Sequence, residues 1–335
     1  MFQQPNRRSL LVGAAALAGT LTAPHIARAA AMRRTVRIAT VNPPASALGQ
    51  ACRAFAEAAA KSPVLSAILQ VDVVAGGAAG GELEMTQACI KGTLDLAVPA
   101  SNVVGTLLPE LGLLDAPFLF RDADHARGVL DSDIGAEFNA LMKPKGINNL
   151  AWAENGLRQI TANKPIREPA DVHGLHIRVP QSPVMVQAFK ALGANAEPLP
   201  FPQLFDALRT GQFEAEENPV VTILTARFNE VQKYLSMTGH VYSAAMVIAS
   251  PDLLEDLDDK QRAALVDAAK VAAKASRDTA SNGERDGIVQ LRTAGMTIVT
   301  DVNRAAFAEA VRPALEAIAQ QLGADRAAHI RAFHA

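Results

Sequence analysis

From about Asp258 the chain runs well past Leu291 without a proline, and Leu265, Ala268, Val271, Ala272 and Ala275 recur along one helical stripe. Ser250-Pro251-Asp252 just ahead of it reads as a helix start, with Ser as cap and Pro at the first helical position. A helix of about 35 residues is about 50 Å long at the α-helical rise. That exceeds the diameter of a small domain, so such a helix has to run along two. The 335 residues suffice for two domains and a large core.

The rest of the chain supplies material for both. Arg34 to Val41 alternates and reads as a strand stopped by Pro43-Pro44; Ala47 to Lys61 carries Leu48, Cys52, Phe55 and Ala59 on one helical stripe. Leu69 to Val74 is a second strand, closed by the turn Gly76-Gly77-Ala78-Ala79-Gly80-Gly81, and Glu82 to Lys91 is a helix ending at Gly92. With a short buried strand at Asp95 to Val98, the β-α-β-α-β order implies a parallel sheet flanked by helices. A second unit starts near Leu150: Ala151 to Glu154 reads as an extended crossing segment and His176 to Val179 as a strand. Helices follow at Val184 to Leu192 and Gln203 to Thr210, and Tyr242 to Ala249 is a strand that returns to the first unit. The fold class is α/β: two lobes around a cleft, crossing strands between them and one long helix spanning both. The boundaries expected are residues 30–153 with 245–283 for lobe I and 154–244 with 284–335 for lobe II.

Residues 1–29 belong to a separate category. Asn6-Arg7-Arg8-Ser9-Leu10-Leu11 opens an apolar stretch to about Ala23, and Ala27-Arg28-Ala29 offers a small-residue cleavage site. That order is a secretory signal, and the paired arginines favour the twin-arginine route. The stretch is shorter than the ~20 residues that span a bilayer. The mature protein is therefore expected to be soluble and periplasmic. Hydrophobic residues at 49% and charged residues at 20% suit a globular chain, and a net charge of −2 without basic clusters points away from nucleic acid. Cys52 and Cys89, the two cysteines, sit in apolar helical patterns; an oxidising compartment permits a bond between them, and burial as free thiols is the other reading.

Several segments are recognisable in their order and spacing. They are Pro109-Glu110-Leu111-Gly112-Leu113-Leu114-Asp115-Ala116-Pro117-Phe118-Leu119-Phe120, Glu154-Asn155-Gly156-Leu157-Arg158-Gln159-Ile160-Thr161, Gly174-Leu175-His176-Ile177-Arg178-Val179-Pro180, Ala191-Leu192-Gly193-Ala194, Pro200-Phe201, Glu217-Asn218-Pro219, and Glu230-Val231-Gln232-Lys233-Tyr234-Leu235 with Thr238-Gly239-His240. Through them the chain resembles the solute-binding proteins of tripartite ATP-independent periplasmic (TRAP) transporters, the DctP-type family. The resemblance covers nearly the whole mature chain. It implies a protein that closes around an acidic ligand and hands it to a pair of membrane permease subunits, with no chemistry done on the ligand.

Arg178 is the leading site residue. It ends a strand, and ligands of open α/β units sit beyond the carboxyl ends of strands. Its planar fork matches a carboxylate. Spacing alone leaves a structural arginine paired to an internal acid as an equal reading; the resemblance implies the ligand contact. The resemblance also implies Arg158 as a second carboxylate donor, Asn218 reaching the same carboxylate and Phe201 packing on the ligand's apolar side; a solvated or salt-bridged Arg158 and a plain core Phe201 are the other readings. Glu82, after the glycine turn, is placed to accept hydroxyl hydrogen bonds or to offset a helix dipole. Asn42 and Trp152 are further candidates near the expected cleft and hinge. The chain departs from the family's usual Val-Asp-Gly-Gln-Glu-Asn-Pro with Phe213-Glu214-Ala215-Glu216-Glu217-Asn218-Pro219, and Gln203 and Phe205 replace the usual Glu and Tyr. Glu216 facing inward would repel a second ligand carboxylate, so a monocarboxylate is expected: a sugar acid, hydroxy acid or aromatic acid.

Two other functional classes compete with this reading. An exported enzyme finds no support in a Gly-x-Ser-x-Gly or a strand-linked Gly-x-Gly-x-x-Gly, and His173-x-x-His176 lacks a third metal ligand at plausible spacing. No cofactor or metal is expected. A periplasmic sensor presenting its acid to a receptor would keep the fold and change the job.

Overall fold

The computed structural model describes residues 33–334. The twin-arginine signal expected over residues 1–29 lies outside them.

Nine strands form one sheet: β1 Arg34–Ala39, β2 Leu69–Val74, β3 Leu96–Ala97, β4 Asn148–Ala162, β5 His176–Val179, β6 Asn195–Pro198, β7 Ala215–Pro219, β8 Tyr234–Ala249 and β9 Thr297–Val299. Their order is β2-β1-β3-β8-β4-β7-β5-β6, with β9 beside β8. The pairs β1–β2, β1–β3, β5–β6 and β5–β7 are parallel, as helical crossovers require, while β4 and β8 run antiparallel through the middle. These two crossing strands, of 15 and 16 residues, are longer than the segments expected at 151–154 and 242–249. At about 3.3 Å per residue each reaches about 50 Å, the length of the long helix. β4 stays in register with β8 across slips that include one at Gly156, whose φ of +122° suits glycine.

Alternation along these strands divides the core. On β8, Ala244, Met246 and Ile248 enter one hydrophobic cluster while Ala245, Val247 and Ala249 enter another on the opposite face. A second pair of clusters lies at the other end of the sheet, one around Ile160, Ile177, Val179 and Phe189, the other around Leu204, Phe213, Phe228 and Leu235. Two apolar cores at each end make two lobes on one continuous sheet.

The long helix is Asp259–Thr293, capped by the Asp258 side chain on the Gln261 N–H, with Gln261 closing the capping box. Its Leu265, Ala268, Ala269 and Ala272 pack into the first lobe and its Leu291 into the second. One helix therefore staples both lobes, as its length implied. A second helix, Arg304–Leu322, does the same on the other face: Phe307 packs in the second lobe, and Leu315, Ile318 and Ala319 in the first. The helix Ala324–Ala332 ends the chain against the first lobe through Ala327 and Ile330. The C-terminal residues thus serve both lobes, where 284–335 was expected in lobe II alone. Cys52 and Cys89 are free, buried in different clusters, and burial pushes both thiols well above their ordinary range.

Gly49 shows how tightly the first lobe is built. A Cβ there would lie 2.3 Å from the Pro43 carbonyl oxygen. Gly49→Ala must push the Pro43-Pro44 loop off the helix Ala47–Lys61, and thermal unfolding should show a loss of about 1–3 kcal/mol, typical of overpacking.

Candidate functional site

Arg178, at the end of β5, is 2% exposed. Its Nε and Nη2 donate to the Leu199 carbonyl oxygen at 2.9 and 2.6 Å. Among the described residues no carboxylate lies within 4.0 Å of its guanidinium. Burial pulls its pKa down to about 10, with the field of Glu217 offsetting only part of that cost. The internal acid that would have made it a structural arginine is not there.

Arg158, on β4, is the contrasting case. It is equally buried, but its Nε ion-pairs with Glu217 Oε2, and its Nη2 donates to Glu217 Oε1 at 2.8 Å and Asn218 Oδ1 at 3.4 Å. Burial by itself raises the Glu217 carboxyl; the Arg158 charge and a hydrogen bond from His240 outweigh it and hold the group below its ordinary value. His240 Nε2 stands 3.1 Å from Glu217 Oε2, and burial keeps its own imidazole below the usual range. Arg158 and Glu217 therefore neutralise each other, and the charge left over belongs to Arg178.

β7 carries the next groups. Glu217 and its neighbours Glu216 and Asn218 are buried, in a strand whose five residues are all buried. The Asn218 carboxamide Nδ2 donates to Glu216 Oε2 at 2.6 Å, and the Thr161 hydroxyl donates to Glu216 Oε1 at 2.8 Å. Glu82 reaches the region from the first lobe: it opens the helix Glu82–Ile90, and its Oε1 accepts from the Ala100 N–H at 2.7 Å. Burial raises its pKa, and both arginines oppose the rise. Asp115 accepts from Ser101 Oγ at 3.0 Å and, through burial, is pushed up to about 8.

The two lobes meet around these groups. The first lobe's Gly76–Gly81 turn closes on the segment that carries Leu199: a Cβ on Gly77, at φ +77°, would lie 3.1 Å from Pro202. Two cavities lie beside this join. One of about 620 Å³ is lined by Gln181, Val186 and Lys190, another of about 280 Å³ by Asn102, Gly112 and Val184, and they share Thr106, Ser182 and Pro183.

The structure thus brings together Arg178, Arg158, Asn218 and Glu82. Phe201 lies half-buried against the second lobe's core, 6.0 Å from Phe228 between ring centroids. Asn42 is buried beyond β1, its carbonyl accepting from Gly76 N–H at 2.9 Å. Trp152 does not join them. It packs edge-on to Phe138, 6.4 Å between centroids, in the first lobe's core, because alternation on β4 turns it to that face. Its fluorescence reports that core. Glu217, His240, Thr161 and Asp115 lie in the recognisable segments, but the sequence assigns none of them a role in the site. Among the described residues no group of three or more His, Cys, Asp or Glu is arranged to hold a metal, and no helix is long and apolar enough to cross a membrane.

Residues 38–322 match the family described as bacterial extracellular solute-binding protein, family 7. The chain belongs to that family. It is a family of solute-binding transport components, not of enzymes. Relatives include the 2,3-diketo-L-gulonate-binding periplasmic protein YiaO of Escherichia coli, 38% identical over 66% of this chain and 67% of its own. The fold superposes on a TRAP periplasmic solute-binding protein from Polaromonas bound to D-erythronate, with TM-score 0.88, 36% identity, and coverage of 90% of this chain and 100% of that one. It also superposes on the sugar acid binding protein DctPAm from Advenella mimigardefordensis in complex with galactonate, with TM-score 0.86, 30% identity, and coverage of 90% and 97%.

Proposed function

We propose that this member of the family captures a small organic acid in the periplasm by its carboxylate, on Arg178, and delivers it to TRAP permease subunits in the membrane. The observation that carries the reading is a buried guanidinium whose neighbour Arg158 owns the available ion pair. A buried cation without a partner is costly, and an organic anion supplies the missing counter-charge. Asn218 shares the Arg158 corner, Glu82 brings an acceptor for ligand hydroxyls from the first lobe, and closure of both lobes on the anion links binding to conformation.

Singly charged sugar acids and hydroxy acids fit this balance best, since a second carboxylate would meet Glu216 and Glu82. The acids bound by the relatives described above are of that kind. Thermal-shift titration of the purified protein against D-erythronate, galactonate, glucuronate, malate and succinate should stabilise it with the first three. Malate or succinate outcompeting them would contradict the monocarboxylate preference, and turnover of any acid would contradict the binding role. Deletion of the gene should abolish uptake of the acid so identified; unchanged uptake would contradict delivery.

A further inference from the structure

The wall behind Arg178 holds more carboxylates than its cations balance. β4 contributes Arg158 and Thr161, β5 Arg178, β7 Glu217 and Asn218, β8 His240, the first lobe's helix Glu82 and the turn Pro109–Asp115 its Asp115. Arg158 and Glu217 cancel, and His240 adds no charge near neutrality because burial holds its imidazole below its ordinary value. Arg178 is left in the field of Glu216 and Glu82, while Asp115, pushed up to about 8, adds no charge near neutrality. Glu216 is the one tied to it by the sheet: the two are direct Cα partners in the parallel pairing of β5 with β7, so their side chains leave the same face.

We propose that Glu216 and the organic anion are alternative counter-charges for Arg178, so that the anion binds together with one proton taken up on Glu216. This rests on Arg178 being the anchor. With no anion bound, an ionised Glu216 offsets the guanidinium only in part, across the strand pair and from beyond ion-pair distance. Once a carboxylate sits on Arg178, an ionised Glu216 becomes a buried like charge beside it, and protonation is the cheaper state. The hydrogen bonds at Glu216 already accommodate both states. Asn218 Nδ2 donates to Oε2 in either, while the 2.8 Å contact between Thr161 Oγ1 and Oε1 survives protonation by reversing, since a hydroxyl both donates and accepts. The position of the equilibrium is favourable: burial, opposed by the Asn218 and Thr161 hydrogen bonds, sets the Glu216 carboxyl at about 7. A ligand carboxylate, ordinarily titrating at about 4, stays ionised throughout this range.

The sign follows from linkage. Below pH about 7 Glu216 is already protonated in the free protein, so binding takes up no proton. Above it, each binding event draws a proton from solvent, and affinity falls by up to about tenfold per pH unit. Calorimetric titration with D-erythronate at about pH 8, in two buffers of different ionisation enthalpy, measures the uptake directly and needs no variant. Close to one proton per ligand is expected for the wild-type protein, and none for Glu216→Gln, whose affinity should no longer vary with pH. Zero uptake by the wild type, or undiminished uptake by Glu216→Gln, would overturn the role of Glu216. Failure of D-erythronate, galactonate and glucuronate alike to bind would instead overturn the capture reading, and this inference with it.

Discussion

Arg178→Lys should weaken binding of the captured acid by roughly 100-fold, and Arg178→Met by roughly 1,000-fold, with the fold intact. Lysine keeps the charge but not the planar fork, so one of two parallel charge-assisted bonds is lost, at about 1.5–3 kcal/mol each. Methionine loses both. The ligand-free variants should nonetheless melt within about 3 °C of the wild type, roughly 2 kcal/mol for a chain this long. Burial already pulls the Arg178 pKa down to about 10, so the folded protein carries that cation at a cost. Removing it relieves the cost while leaving the Leu199 carbonyl without its donor, and the two effects offset. Isothermal titration paired with thermal unfolding separates affinity from stability. A variant that binds as the wild type does would remove Arg178 from the site.

Glu217→Gln should have the opposite signature. It leaves Arg158 buried with no carboxylate, and breaking a buried pair from one side costs about 3–5 kcal/mol. The melting temperature should fall by roughly 5–8 °C. Replacing both partners, Arg158→Met with Glu217→Leu, should recover much of that loss, because two well-packed apolar side chains leave no orphan charge. A double-mutant cycle on thermal stability checks the claim. A Glu217→Gln protein as stable as the wild type would mean that the pair is not the structural element described here, and that Arg158 is free for the ligand.

Much of the frame could be read before the structure. The helix Ala47–Lys61 and the strands Leu69–Val74 and His176–Val179 have the bounds their patterns implied, and the long helix starts within a residue of Asp258, while the Ser250 cap belongs to a short separate helix, Pro251–Glu255. What escaped was written in tertiary terms. β7, Ala-Glu-Glu-Asn-Pro, has no strand-like apolar alternation; it is a buried central strand because Arg158 and Thr161 on the adjacent β4, with His240 from β8 beyond it, satisfy its polar groups. The second bridging helix contains Pro313, which normally ends a helix by removing a donor and crowding the preceding turn. β4 extends through Gly156 and polar residues that read locally as a loop.

The site divides along the same line. Arg178 stood out because a charged residue between two aliphatics on a short strand has to face somewhere particular. That Arg158 is spoken for by Glu217 could not be known from spacing, since the two are brought together only by the antiparallel pairing of β4 with β7. Trp152 shows the limit of placing a residue by its position near a hinge: a single step of alternation sends it into the core.

The most direct test is a crystal structure of the protein with the panel acid that stabilises it most. The ligand carboxylate should lie within hydrogen-bonding distance of the Arg178 guanidinium, with Arg158 still paired to Glu217. An acid held elsewhere, for instance in the cavity by Gln181 and Lys190, with Arg178 touching only the Leu199 carbonyl, would contradict it.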